Sequence, residues 1–277
     1  MEIPIQQMSL PEYAELQSRL GAKILCRDGH YWRKVRPFFY RPLLPVECHE
    51  ESAVRPPVAW PSGYQYVVAN GQRANSTMNF LMLDDLRGYS FGSLTHKRRN
   101  LIKRTALKFQ VRLLKDPQEL SEHGHKVYLS FYERTRYHYK SDRRDPAVFR
   151  NWVDTLFSSP KTILLGGYGP DGLAAISIGY WVNLTLIHAS LMCESGSIRG
   201  NLVELMFHEI RLMAAQQPGI KEILVRSYQG GNTLDQYYMH RGCRLVKMPA
   251  RLEVSAPIQT LFRWMMPRKY EHLRGDD

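Results

Sequence analysis

The sequence predicts an α/β fold, a mixed central sheet with helices on both faces, and three observations predict it. From residue 109 onward, strand-length apolar runs and helix-period runs follow one another in the order β-α-α-β-β-β-α-β-α-β. Three strand-like runs are consecutive, "KTILLGGYG", "GLAAISIGYWV" and "LTLIHASLMC", and the first two are joined by Gly-Pro-Asp-Gly, a hairpin signal. The apolar-faced run "NLVELMFHEIRLMAAQQPG" then carries the chain to "KEILVRSY", and a strand-helix-strand crossover favours parallel pairing. Hairpins plus one crossover make a mixed sheet.

Residues 1–92 are rich in proline ("RPFFYRPLLPVE", "VRPPVAWPSGYQYVVANG"), which permits only short extended pieces because proline lacks the amide a central strand needs. "STMNFLMLDD" is the best strand candidate there, and Trp32, Phe38, Phe39, Tyr40 and Trp60 imply that the region packs on the remainder. "SLTHKRRNLIKRTALK", 93–108, reads as a helix with Ser93 or Thr95 at its start. Lys97, Arg98, Arg99, Lys103, Arg104 and Lys108 lie in it with no acid between them, either gripping phosphates or forming a solvated face. "FQVRLLKD" alternates as a strand. Asp116-Pro117 and Asp145-Pro146 each open a helix, because proline at the first turn gives up no hydrogen bond. "TLDQYYMHRG" is a short helix stopped by Gly242, and "CRLVKMPARLEV" is a last strand. The expected division is 1–92, a proline-rich N-terminal region, 93–255, the α/β domain, and 256–277, a basic C-terminal helix or tail.

A chain of 277 residues, 44% hydrophobic and 23% charged, has the balance of a globular protein with a sizeable core. The first residues lack a signal peptide's basic and apolar regions, and no apolar run approaches the roughly 20 residues that span a bilayer, so a cytoplasmic location is expected. Cys26, Cys48, Cys193 and Cys243 form no CxxC pair and the histidines show no ligand spacing, so no metal is expected. The net charge of +12 favours an anionic partner such as CoA, tRNA or an acidic membrane surface. "APIQTLFRWMMPRKYEHLR", 256–274, sets Leu261, Phe262, Trp264, Met265 and Met266 beside Arg263, Arg268 and Lys269, which suits either peripheral membrane contact or a docked helix interrupted at Pro267.

Over residues 109–254 the element order resembles the GNAT acyltransferases. The tail of that fold shows Asn, a short helix with a Tyr, then Gly and a hydrophobic residue entering the last strand, and Asn232, Tyr238, Gly242 and Cys243 are similar to it. The segment "KRRNLIKRTALKF" is similar to the Fem-type peptidoglycan aminoacyltransferases and their acyl-CoA-using relatives, which often carry a second, degenerate copy of the fold. The resemblance implies splayed parallel strands at 184–193 and 221–227 and an N-acyltransferase using an acyl-CoA, acetyl-CoA or longer, with a small-molecule or peptide amine as acceptor. A Fem-type transferase drawing on aminoacyl-tRNA, or a non-catalytic relative binding nucleic acid or membrane, is the alternative. The family's pyrophosphate loop corresponds to "SGSIRGNLVEL", where Ile198 stands at the first glycine and Ser195 at the usual Arg or Gln. Ser197, Ile198, Arg199, Gly200 and Asn201 would offer amides at a helix N-terminus, a geometry that attracts phosphate, and Gly200 would leave the backbone bare for it.

Acyl transfer to an amine needs a base for the nucleophile, donors for the oxyanion and an acid for the leaving group. A phenol, with a pKa of about 10, can supply the last proton, and Tyr238 is assigned that role. Asn232 opens the same short helix and would help bind the donor. Strict alternation would put Leu186, His188, Ser190, Met192 and Glu194 on one face, with His188 or Glu194 as proton relay and Ser190 near the acceptor. "YERTRYHYKSDRRD", 132–145, alternates aromatic and basic residues, so Arg134, Arg136, Tyr137, Tyr139 and Arg143 could hold an anionic acceptor or an RNA end. The packing alternatives are a core histidine, a strand-end glutamate, a tyrosine pair fixing its helix, and a solvated loop.

Overall fold

The computed structural model describes residues 5–49, 56, 62–69, 71–135 and 140–275. In chain order these form α1 (Leu10–Arg19), β1 (Ile24–Arg27), β2 (His30–Arg36), β3 (Phe39–Pro42), β4 (Cys48–His49), β5 (Gly63–Val68), β6 (Ser76–Leu83), α2 (His96–Ala106), β7 (Gln110–Leu113), α3 (Pro117–Thr135), α4 (Pro146–Phe157), β8 (Thr162–Gly169), β9 (Gly172–Val182), β10 (Thr185–Cys193), α5 (Ser195–Arg199), α6 (Leu202–Ala215), β11 (Glu222–Ser227), α7 (Thr233–Met239), β12 (Arg244–Glu253), α8 (Ala256–Met265) and α9 (Pro267–Arg274). From β7 to β12 the order is the one read from the sequence, with the five-residue α5 added. Among the described residues, no helix is long and apolar enough to cross a membrane.

The chain folds as two compact units, each made of separate stretches: 1–9 with 83–225, and 10–82 with 226–277. The expected division at 92/93 and 255/256 follows the chain, whereas this one follows pairing. β12 lies antiparallel to both β5 and β6, with Ala250 opposite Val67 and Ser76, which ties the proline-rich region to residues 244–253.

In the first unit the sheet order is β11-β10-β9-β8-β7. β7 to β10 pair antiparallel, and β10 and β11 are parallel. Proline and aspartate make the tip of the β8–β9 hairpin, and Gly172 supplies the positive φ of 98° that closes it. Asp145 caps α4 through the amides of Ala147 and Val148 (2.8 and 3.2 Å), and Thr95 caps α2 through the amide of Arg98. α6 covers one face of this sheet. α3, backed by Phe149, Trp152 and Leu156 of α4, covers the other. Close approach on the α6 face rests on a missing side chain: a Cβ on Gly167 would stand 2.9 Å from the Met206 sulfur and 3.0 Å from Leu202.

In the second unit the order is β1-β2-β3-β5-β12-β6, with β4 beside β5. Trp32 is fully buried there against Tyr64 and Tyr66. Phe38 departs from expectation. It sits at the β2–β3 turn with φ 58° and is 61% exposed, because the reversal points its ring outward. Trp60 lies outside the described residues.

Gly167→Val tests the α6 packing. It should cost about 2 kcal/mol in urea unfolding, the range for overpacking a well-filled core. A neutral result would mean that α6 yields at this contact.

Candidate functional site

The site is built around a parallel pairing that stops early. β10 and β11 are in register only at Thr185–Glu222, Leu186–Ile223 and Ile187–Leu224, although β10 runs on to Cys193. The reason is local. Along β9 the register slips between His188 and Ser190, leaving Ala189 as an extra residue. Such a bulge bends its strand and adds twist. β10 is bent at this point, and among the described residues its pairing with β11 goes no further than Ile187, which leaves that edge of residues 189–193 without a neighbouring strand.

The same bulge reverses the predicted faces. Leu186 and His188 point to α6, and beyond Ala189 the residues on that side are Leu191 and Cys193, opposite Ser177 and Ala175. Ser190 and Met192, opposite Ile178 and Ile176, turn to the α3 face. The expectation that Leu186, His188, Ser190, Met192 and Glu194 share one face is thereby corrected. One inserted residue is one half-period of a strand, so every later side chain changes side.

His188 is accordingly a core residue, 6% exposed, with its ring edge-on to Phe207 of α6 at 5.3 Å. With Ser177, Leu186, Ile210 and Met213 it borders a cavity of about 10 Å³, and its Nε2 has no hydrogen-bond partner among the described residues. Burial pushes its pKa down to about 4, so at neutral pH it is an uncharged imidazole and a weak base. Glu194 lies six residues further on, roughly 20 Å away at a strand's rise of ~3.3 Å per residue. The structure does not bring these two candidate relays together.

Glu194 instead belongs to a polar junction where β10 meets α3 and α5. Its carboxylate pairs with Lys126 at 3.3 Å, and its carbonyl accepts the Ile198 amide. Arg134 donates to the Cys193 carbonyl at 2.7 Å and to Ser195 Oγ at 3.4 Å, and the Ser195 amide donates to Ser130 Oγ at 3.2 Å. Arg134 is thus tied to the end of β10. Arg143 lies over the Trp152 ring at 4.4 Å. Arg136, Tyr137 and Tyr139 lie outside the described residues. Lys126 and Ser130 were not foreseen, since on a long amphipathic helix nothing in the sequence distinguishes them from other polar positions.

The segment assigned to a pyrophosphate is more ordered than a bare loop. Ser197, Ile198 and Arg199 lie within α5, and the amides of Ile198, Gly200 and Asn201 donate to Glu194, Gly196 and Ile198 carbonyls. Asn201 takes a left-handed conformation (φ 66°) and turns the chain into α6, where Leu202 and Val203 begin the first turn. Gly200 has an ordinary φ of −75°. Its missing Cβ is explained by packing, because that atom would stand 2.7 Å from the Phe109 ring. A bulky residue at 200 would displace Phe109, so the bare backbone expected there for a donor has a structural cause.

In the second unit the Asn-Tyr-Gly tail is formed as the sequence indicated. Asn232 caps α7 by accepting the Asp235 amide at 2.9 Å. Gly242, at φ 93°, ends the helix by a Schellman arrangement in which its own amide donates to Met239 and the Cys243 amide to Tyr238. Asp235 is fully buried and holds the preceding turn by accepting the amides of Gln229 (2.8 Å) and Gly231 (3.1 Å), with Arg226 Nε 3.6 Å from its other oxygen. Sequence reasoning passed over Asp235, although Asn-x-x-Asp at a helix start is the spacing of a capping box. Tyr237 lies beneath the Arg241 guanidinium, 3.3 Å from its ring centre, and meets Tyr238 edge-on at 5.3 Å. Tyr237 is therefore held by a cation. Tyr238 is half-buried, and burial raises its pKa above the ordinary phenol value while Arg226 and Arg241 pull the other way. The phenol stays protonated through neutral pH.

By sequence, neither a protein-family model nor a curated protein matches the chain. By structure it is similar to the C-terminal domain of a candidate lysylphosphatidylglycerol synthetase from Agrobacterium fabrum (TM-score 0.59, 8% identity, covering 91% of this chain and 89% of that one). It is similar to FemX (TM-score 0.58, 8% identity, 91% and 92%) and to L-PGS from Bacillus licheniformis (TM-score 0.56, 10% identity, 98% and 99%). The fold is the mixed α/β fold that these proteins share, and the likeness extends over nearly the whole chain.

The buried imidazole gives a pH prediction. His188 has a folded pKa near 4 against an unfolded value of about 6.5, so the native state binds fewer protons between these values. Its contribution is complete above pH 6.5 and is lost as the pH falls toward 4, amounting to about 3 kcal/mol. His49, also lowered to about 4, acts in the same direction. In His188→Phe, acid titration of unfolding free energy should lose the His188 part and keep that of His49; an unchanged profile would refute the placement.

Proposed function

We propose that this protein is an acyl-group transferase that moves an acyl group from an activated carrier, such as an acyl-CoA thioester, to an amine. The observation that carries this reading is the open edge of β10 beyond Ile187. An extended acyl donor can hydrogen-bond to such an edge as an added strand would, which fixes its carbonyl and excludes water. In the proposed reaction the amine attacks the carbonyl, and the tetrahedral oxyanion is met by donors of the edge. The amine proton passes to water or to an acceptor on the substrate, because His188 is buried and weakly basic. Collapse of the intermediate expels the carrier, which needs a proton, and Tyr238, kept protonated by burial, is the residue we propose as its donor.

A second reading has its own support. The amides of Ile198, Gly200 and Asn201 are engaged within α5, which leaves fewer for a pyrophosphate, and the proteins similar in fold include FemX and L-PGS. An aminoacyl ester of tRNA carries no pyrophosphate at the end of a long arm, so it would make less use of those amides. The chemistry at the acyl carbon is the same.

Thermal shifts with acetyl-CoA, longer acyl-CoAs and aminoacyl-tRNA, measured side by side, separate the donors. Stabilisation by an acyl-CoA supports the first reading, by aminoacyl-tRNA alone the second, and by none of them contradicts both. Tyr238→Phe should keep the fold and donor affinity yet lower turnover by roughly 10² to 10⁴, the range of general acid catalysis. Normal turnover would reduce the tyrosine to packing.

A further inference from the structure

Exposed apolar residues on a soluble protein are ordinarily scattered one at a time. At the corner between α8 and α9 three are consecutive: Trp264, Met265 and Met266 are 81%, 60% and 39% exposed. The corner has a covalent cause. Pro267 has no amide with which to extend α8, and it occupies the first position of α9, a place where none is needed. The Tyr270 amide donates to the Met266 carbonyl, Tyr270 is 7% exposed, and Gln259 Nε2 donates to its hydroxyl at 2.6 Å. α9 is thus clipped back on α8, and the three side chains form a fixed projecting tip.

The shape and charge of the tip decide what covers it. Adjacent residues near a helix end point about 100° apart, so the three side chains spread around the tip. A groove on a protein would cover one side of such a projection, whereas a soft layer into which the tip sinks covers all sides. Arg263 is exposed immediately before Trp264, Arg268 and Lys269 follow in the sequence, and no acid occurs from Ala256 to Lys269. Tryptophan favours the level of lipid headgroups, methionine fills the acyl boundary, and basic residues beside them are drawn to anionic lipid. We infer that the α8–α9 corner is a membrane-docking tip that inserts Trp264, Met265 and Met266 at the surface of an anionic bilayer, with the exposed Arg263 at its headgroups. This inference is independent of the proposed transferase reaction.

Co-sedimentation of the full chain with vesicles of phosphatidylcholine, with and without phosphatidylglycerol, tests it. Binding should require the anionic lipid and weaken with salt. The double variant Trp264→Ala/Met265→Ser, at positions that contribute little to the core, should lose at least about tenfold in vesicle affinity while its thermal unfolding is unchanged. Arg263→Glu should also weaken binding and flatten the salt dependence. Absence of binding to anionic vesicles, or equal binding by the double variant, overturns the inference. So does a concentration-dependent dimer in sedimentation that the double variant abolishes while vesicle binding stays unchanged, because the occupant would then be a second copy of the chain.

Discussion

The bulge at Ala189 is the constraint on which the first unit's site depends. Parallel neighbours in a sheet normally pair along their whole shared length, because each unpaired amide or carbonyl in a dry setting costs free energy. Here pairing ends after Ile187 and Leu224, three residues into the strands. The extra residue keeps β10 in register with β9 as far as Cys193, while its pairing with β11 ends at Ile187. The sheet thus stays continuous on one side and opens on the other. The open edge leads to the junction of Glu194, Lys126, Arg134 and Ser195, consistent with the tendency of α/β sheets to place ligands beyond the carboxyl ends of their strands.

Much of this fold was legible in the sequence because the relevant signals are local. Proline at the first turn of α3 and α4, the Gly-Pro-Asp-Gly reversal, the Pro-Gly stop after α6 and the glycine after α7 each act within a few residues. Long-range pairing was not legible. Nothing between residues 1 and 92 announces that β5 and β6 take β12 between them, since the partners are more than 150 positions apart. The bulge was also invisible: "IHASLM" alternates as smoothly as any strand, and only the register against β9 shows the added residue. That single residue separates His188 from the polar group to which alternation had assigned it.

In the tail, the sequence indicated Asn232, Tyr238 and Gly242, and the structure supplies the member that connects them. Asp235 is buried at 0% exposure, and a carboxylate so placed must be paired or hydrogen-bonded. It meets that need by gathering the amides of Gln229 and Gly231 and facing Arg226. The guanidinium at the end of β11 is thereby held where it tempers the rise that burial imposes on the Tyr238 pKa. The turn before α7 and the placement of Arg226 thus share one buried carboxylate. Gly200 illustrates the opposite outcome, a glycine that looks like a ligand loop and is explained by the Phe109 ring.

The proposed binding of the acyl donor along the β10 edge is open to test by amide hydrogen exchange. With a non-reactive acyl-donor analogue bound, residues 189–193 of β10 should slow markedly, while residues 185–187, already paired, change little. Protection confined to other regions, with exchange at 189–193 unaltered, would contradict the account.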